Sequence, residues 1–120
     1  MKHDPQIFIE HILDSIEAVE NHVARKDIED FKKDIKTQDA VMRRLEIIGE
    51  AVKNLPASFK KEHPEILWPK IAGMRNFLIH EYFGVELKLV WSTVKKNLPE
   101  LKKQLSAINF PKQTLKYRAK

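Results

Sequence analysis

The chain has 120 residues, 42% of them hydrophobic and 32% charged, which fits one soluble globular domain and excludes a disordered polypeptide. It has no Cys, so a disulfide scaffold, thiolate zinc and a cysteine nucleophile are excluded. The net charge of +5 is unevenly spread: residues 1–30 carry five excess negative charges, and residues 91–120 carry seven excess positive ones.

The first predicted helix covers about residues 5–25. Ile9, Ile12, Leu13, Ile16, Val19 and Val23 recur at spacings of three and four and form one apolar stripe. Asp4 is placed to cap it, and Pro5 suits a first turn because proline loses no needed N–H bond there. Residues 27–36 are polar around Ile28, Phe31 and Ile35 and read as a connection with a turn of helix. A second long helix comes next, capped by Thr37, with Asp39 in its first turn and Pro56 as its stop. Its seam is Val41, Leu45, Ile48, Val52 and Leu55, a 4-3-4-3 repeat typical of a bundle. Gly49 falls mid-helix, where it costs about 1 kcal/mol relative to Ala, and marks close approach of another backbone.

Residues 57–68 read as loop with short helical turns. A third helix is expected over 69–84, and a fourth from about Glu86 with Leu87, Val90, Trp91, Val94 and Leu98 on one side. Pro99 should bend that helix or restart it through Leu101, Leu105 and Ile108. No β-alternation, internal repeat or low-complexity segment is present. The expected fold is all-α, an antiparallel bundle of four to five helices in one domain, residues 1–110, with a basic tail, 111–120. Phe77, Leu78 and Ile79 are consecutive and point three ways around a helix, which asks for burial against a second chain and predicts a homodimer. With no signal-peptide pattern and no long apolar run, a cytoplasmic protein that does not span a membrane is expected.

Chemistry concentrates in one place. His3, His11, His22 and His63 are scattered without ligand spacing, and there is no glycine-rich phosphate loop, so neither a metal nor a cofactor is expected. Arg75, Asn76, His80 and Tyr82, by contrast, fall within eight residues of an otherwise apolar segment. Polar groups there are costly to bury unpaired. A histidine exchanges protons near neutral pH. The paired N–H donors of an arginine suit a phosphorane-like transition state. Asn76 could hold a phosphate oxygen or a water. Together these groups suit metal-free RNA cleavage by the neighbouring 2′-hydroxyl. On a straight helix, however, Arg75 and His80 lie about 140° apart. They converge if the helix distorts near Gly84, if the arginine wraps round, or if two chains share the site. The residues alone favour a structural role, with Arg75 paired to Glu46 or Glu50 and Tyr82 at an interface.

Arg75, four residues, His80, one residue and Tyr82 resemble the R-x4-H-x-Y motif of HepT-like HEPN proteins. The stretch from Gln38 to Ala51, Trp68, Ala72-Gly73-Met74-Arg75-Asn76, Glu81-Tyr82-Phe83-Gly84 and Trp91 extend the likeness over roughly residues 5–108. The resemblance implies the toxin of a type VII HEPN/MNT toxin–antitoxin pair: an all-helical, dimeric, metal-independent endoribonuclease acting on RNA. It implies Arg75 and His80 as catalytic and Asn76 as supporting. It also implies Tyr82 as the hydroxyl to which a minimal nucleotidyltransferase antitoxin transfers AMP. An alternative reading of the same family makes the chain a non-catalytic acceptor or substrate-binding subunit of that nucleotidyltransferase.

Overall fold

The computed structural model describes residues 4–75 and 87–110, and these are helical with no strand among them. Helix α1, Pro5–Val23, starts where expected: the Asp4 carboxylate accepts from the Gln6 amide at 3.0 Å, and Pro5 sits in the first turn. The polar connection contains a true helix, α2, Ile28–Lys33. Its start is a reciprocal capping box, in which the carboxylates of Asp27 and Asp30 each accept from the other's backbone amide, at 2.9 and 3.1 Å.

The long helix α3 runs Ile35–Lys53, and its cap corrects the sequence reading. Asp34, not Thr37, is the capping residue: its carboxylate accepts from both the Thr37 amide and the Thr37 hydroxyl. An aspartate three residues earlier outcompetes the threonine because its two oxygens serve both donors at once. Those bonds, the hydroxyl first, hold the Asp34 carboxyl below the usual carboxylate range.

The apolar stripes meet as the spacing predicts. Ile12, Ile16 and Val19 of α1 and Val41, Leu45, Ile48 and Val52 of α3 are fully buried where the two helices lie together. Each such side chain contributes about 1.5–3 kcal/mol relative to exposure. Phe31 of α2 is sealed in the same core and meets Trp91 at 5.2 Å between ring centroids.

After α3 the chain forms α4, Ala57–Lys61, then α5, Trp68–Ala72. The Trp68 indole N–H reaches the carbonyls of both Lys60 and His63, at 3.1 and 3.0 Å, and so fixes where α5 starts. The expected α-helix over 69–84 does not continue unbroken. It tightens after Ala72 into a 3-10 turn, Gly73–Arg75, and residues 76–84 lie outside the described residues. Gly73, a poor helix former, stands where the winding changes.

The last arm is α6, Leu87–Ser92, a π-helical turn, Thr93–Asn97, and α7, Leu98–Ser106. Pro99 explains the wide turn. Its ring has no N–H and would strike the carbonyl four residues back. The chain makes room by one wider loop, in which the Leu98 amide donates to the Thr93 carbonyl, five residues back. Proline therefore shapes this arm without breaking it, and Leu98, Leu101 and Leu105 stay buried. The homodimer expectation and the tail 111–120 concern a second chain and residues outside those described. No described helix is long and apolar enough to cross a membrane.

Candidate active site

Of the four residues singled out by sequence, Arg75 is described, and Asn76, His80 and Tyr82 lie outside the described residues. Arg75 ends the 3-10 turn, which rests on α3. The two meet at Gly49. A Cβ at that position would stand 2.9 Å from the Ala72 carbonyl oxygen, 2.9 Å from the Arg75 amide nitrogen and 3.3 Å from Arg75 Cβ. The expected close approach is therefore real, and the backbone it admits is that of Arg75 itself.

One residue further along α3, Glu50 meets the arginine. Arg75 Nε lies 2.7 Å from Glu50 Oε2, with the pair about a third exposed on the arginine side. Nε itself is buried, and its N–H is not aligned on a carboxylate oxygen, so the pairing is ionic rather than a directed hydrogen bond. Of the two partners that sequence allowed, Glu50 is the one found; Glu46 instead pairs with Arg43 at 2.9 Å. The Glu50 carboxylate takes the Nε edge of the guanidinium. Its two Nη groups make no hydrogen bond to a described residue. They are the donors that a phosphate would use.

Glu50 also borders a shallow depression of about 310 Å³ that His11 and Arg43 share. Sequence spacing gives no reason to single out His11. Its place beside Glu50 comes from the packing of α1 on α3, a long-range fact that local spacing does not carry. Among the described residues no cluster of three or more His, Asp or Glu could hold a metal ion.

The described scaffold is all-helical and braces an arginine that is about a third exposed. The family model described as Ribonuclease HepT-like matches residues 12–108, and the chain belongs to that family. The chain is 50% identical to the "Probable ribonuclease HepT" of Thermococcus cleftensis, over 85% of this chain and 93% of that one. It is 49% identical to a "Putative RNase" of Caldanaerobacter subterraneus subsp. tengcongensis, over 87% of this chain and 93% of that one. A Methanocaldococcus jannaschii protein, "Gamma-glutamylcyclotransferase and putative RNase", is 47% identical over 90% of this chain, which spans only 49% of its length. No solved structure matches the chain.

Proposed function

We propose that the chain is a metal-independent endoribonuclease and the toxin of a HEPN/MNT toxin–antitoxin pair. In this reading Arg75 binds and neutralises the scissile phosphate. His80 transfers protons to and from the 2′-hydroxyl and the leaving 5′-oxygen, and Asn76 supports a phosphate oxygen. A homodimer would bring two such sets together in one cleft. The observation that carries the reading is the state of Arg75. Its backbone is clamped on Gly49 and its Nε edge is held by Glu50, while its Nη donors make no hydrogen bond to a described residue. Positive charge fixed in advance costs no reorganisation when the transition state forms.

The purified protein should cut RNA in EDTA and leave 2′,3′-cyclic phosphate ends. His80→Ala should abolish cleavage with an unchanged circular dichroism spectrum. Intact RNA under these conditions removes the nuclease reading.

Tyr82 is the proposed regulatory acceptor. Its hydroxyl attacks the α-phosphorus of ATP on the antitoxin, gaining AMP and releasing pyrophosphate. A nucleotide tethered two residues from His80 places an anion where the substrate phosphate would sit. Protein co-expressed with the nucleotidyltransferase should gain the mass of an adenylyl group, and Tyr82→Phe should not. An equal gain in the Tyr82→Phe protein would place the acceptor elsewhere.

A further inference from the structure

A groove of about 440 Å³ lies between α5 and the α6–α7 arm, and Gly73 and Met74 of the Arg75 turn form part of its wall. Its floor is apolar. Leu67 and Leu89, at 62% and 54% exposure, are among the most open large hydrophobic side chains of the described residues. Asn97 adds an amide along the α6–α7 wall, the Gln104 amide donates to the Glu65 carbonyl at 3.2 Å, and the carboxylates of Glu65 and Glu100 also line the groove. A flat apolar surface combined with amide and carboxylate hydrogen-bonding groups is what nucleobases use, through their faces and edges.

The rim carries the complementary charge. Lys88, Lys96 and Lys103 are exposed, and each immediately precedes a groove-lining residue (Leu89, Asn97 and Gln104) along about 22 Å of the α6–α7 arm. The π-helical turn keeps Lys96 in that row, and π turns recur at functional positions. None of the three lysines makes an ion pair with a described residue. Lys102, on another side of the same helix, is by contrast paired to Glu20 at 2.8 Å. Lys70 stands on the α5 side of the groove. A row of ammonium groups with no ion pair among the described residues, beside an apolar trough, fits a single strand, with phosphates outside and bases inside.

We propose that this groove is a single-stranded RNA subsite leading to Arg75, with bases on the Leu67–Leu89 floor and backbone phosphates on Lys88, Lys96 and Lys103. The proposal rests on the ribonuclease reading for the identity of its ligand, and its test is one of binding, so the two can fail separately. The probe is a short fluorescein-labelled 2′-O-methyl oligouridylate, which lacks the attacking hydroxyl and stays intact. Fluorescence anisotropy across a salt series compares the wild-type protein with K96E/K103E and with Leu89→Ser.

The charge reversal should weaken binding on the order of tenfold and flatten the salt slope by about 0.7 for each phosphate no longer neutralised. Leu89→Ser should weaken binding by removing part of the apolar floor without adding charge. Wild-type affinity and slope in K96E/K103E would overturn the subsite. So would a poly-glutamate peptide that binds through these lysines while RNA affinity is unaffected, since the partner would then be an acidic protein. A halved solution mass in Leu89→Ser with RNA binding intact would make the groove an interface between copies and would also overturn it. Wild-type protein that holds the probe through these lysines yet leaves ordinary RNA uncut supports the subsite and overturns the nuclease.

Discussion

Arg75→Ala should lower RNA cleavage by about 10²–10³-fold, the loss seen when one fixed donor to a developing anion is removed. The fold should survive the change. The Arg75–Glu50 pair is partly open to solvent on both sides, and such pairs contribute about 0–1 kcal/mol. Melting temperature and rate therefore separate the two roles that sequence left open. A structural arginine would show lost stability with an unchanged rate per folded molecule. A catalytic one shows the reverse. Arg75→Lys sharpens the test, because an ammonium keeps the charge but loses the planar fork, and should restore only part of the rate. Full activity in Arg75→Ala would remove this residue from the mechanism.

Gly49→Ala should cost both stability and activity, although alanine is the better helix former. The new methyl gains about 1 kcal/mol in helix propensity. Against that, it would sit 2.9 Å from a carbonyl oxygen and from an amide nitrogen, well inside the roughly 3.5–4.0 Å of a relaxed approach. Both obstacles are backbone and cannot rotate away. Overpacking of this kind costs about 1–3 kcal/mol, so the net change is a loss of up to about 2 kcal/mol. The turn bearing Arg75 must retreat, and displacement of a catalytic group by about 1 Å can reduce rate 10²-fold. Gly49→Val should do worse on both measures. Thermal unfolding and single-turnover cleavage check the pair; an alanine variant as stable and as active as wild type would mean that the turn yields without cost.

The elements legible in sequence are those governed by local chemistry. The stripes from Ile9 to Val23 and from Val41 to Leu55 need only a helical period, and they are buried as that period requires, apart from half-buried Leu13. Asp4 is readable because a cap acts within three residues. Gly49 is readable too, since a glycine inside a long helix has no local benefit to offset its cost. Features that depend on competition or on distance are not. Asp34 wins the α3 cap over Thr37 by having two acceptors, a contest that pattern matching does not decide. The tightening at Gly73–Arg75 falls where the chain docks on α3, and the periodicity of 69–84 gives no sign of it. Pro99 signals a disturbance, but a bend, a restart and a π-helical turn are equally consistent with it. At the site, sequence points to Arg75 and a choice of acids, and packing chooses Glu50. The groove beside it is built from Leu67, Leu89 and Asn97, residues on separate elements with no motif between them.

The clamp on Gly49 bears on how the protein comes into being. Both braces of Arg75, a bare backbone and a carboxylate, belong to a helix that is itself seated against α1. A chain emerging from the ribosome therefore holds no aimed guanidinium until its first half has collapsed. Any damage that loosens that first half releases both braces at once, so the orientation of Arg75 reports on the integrity of the α1–α3 pair.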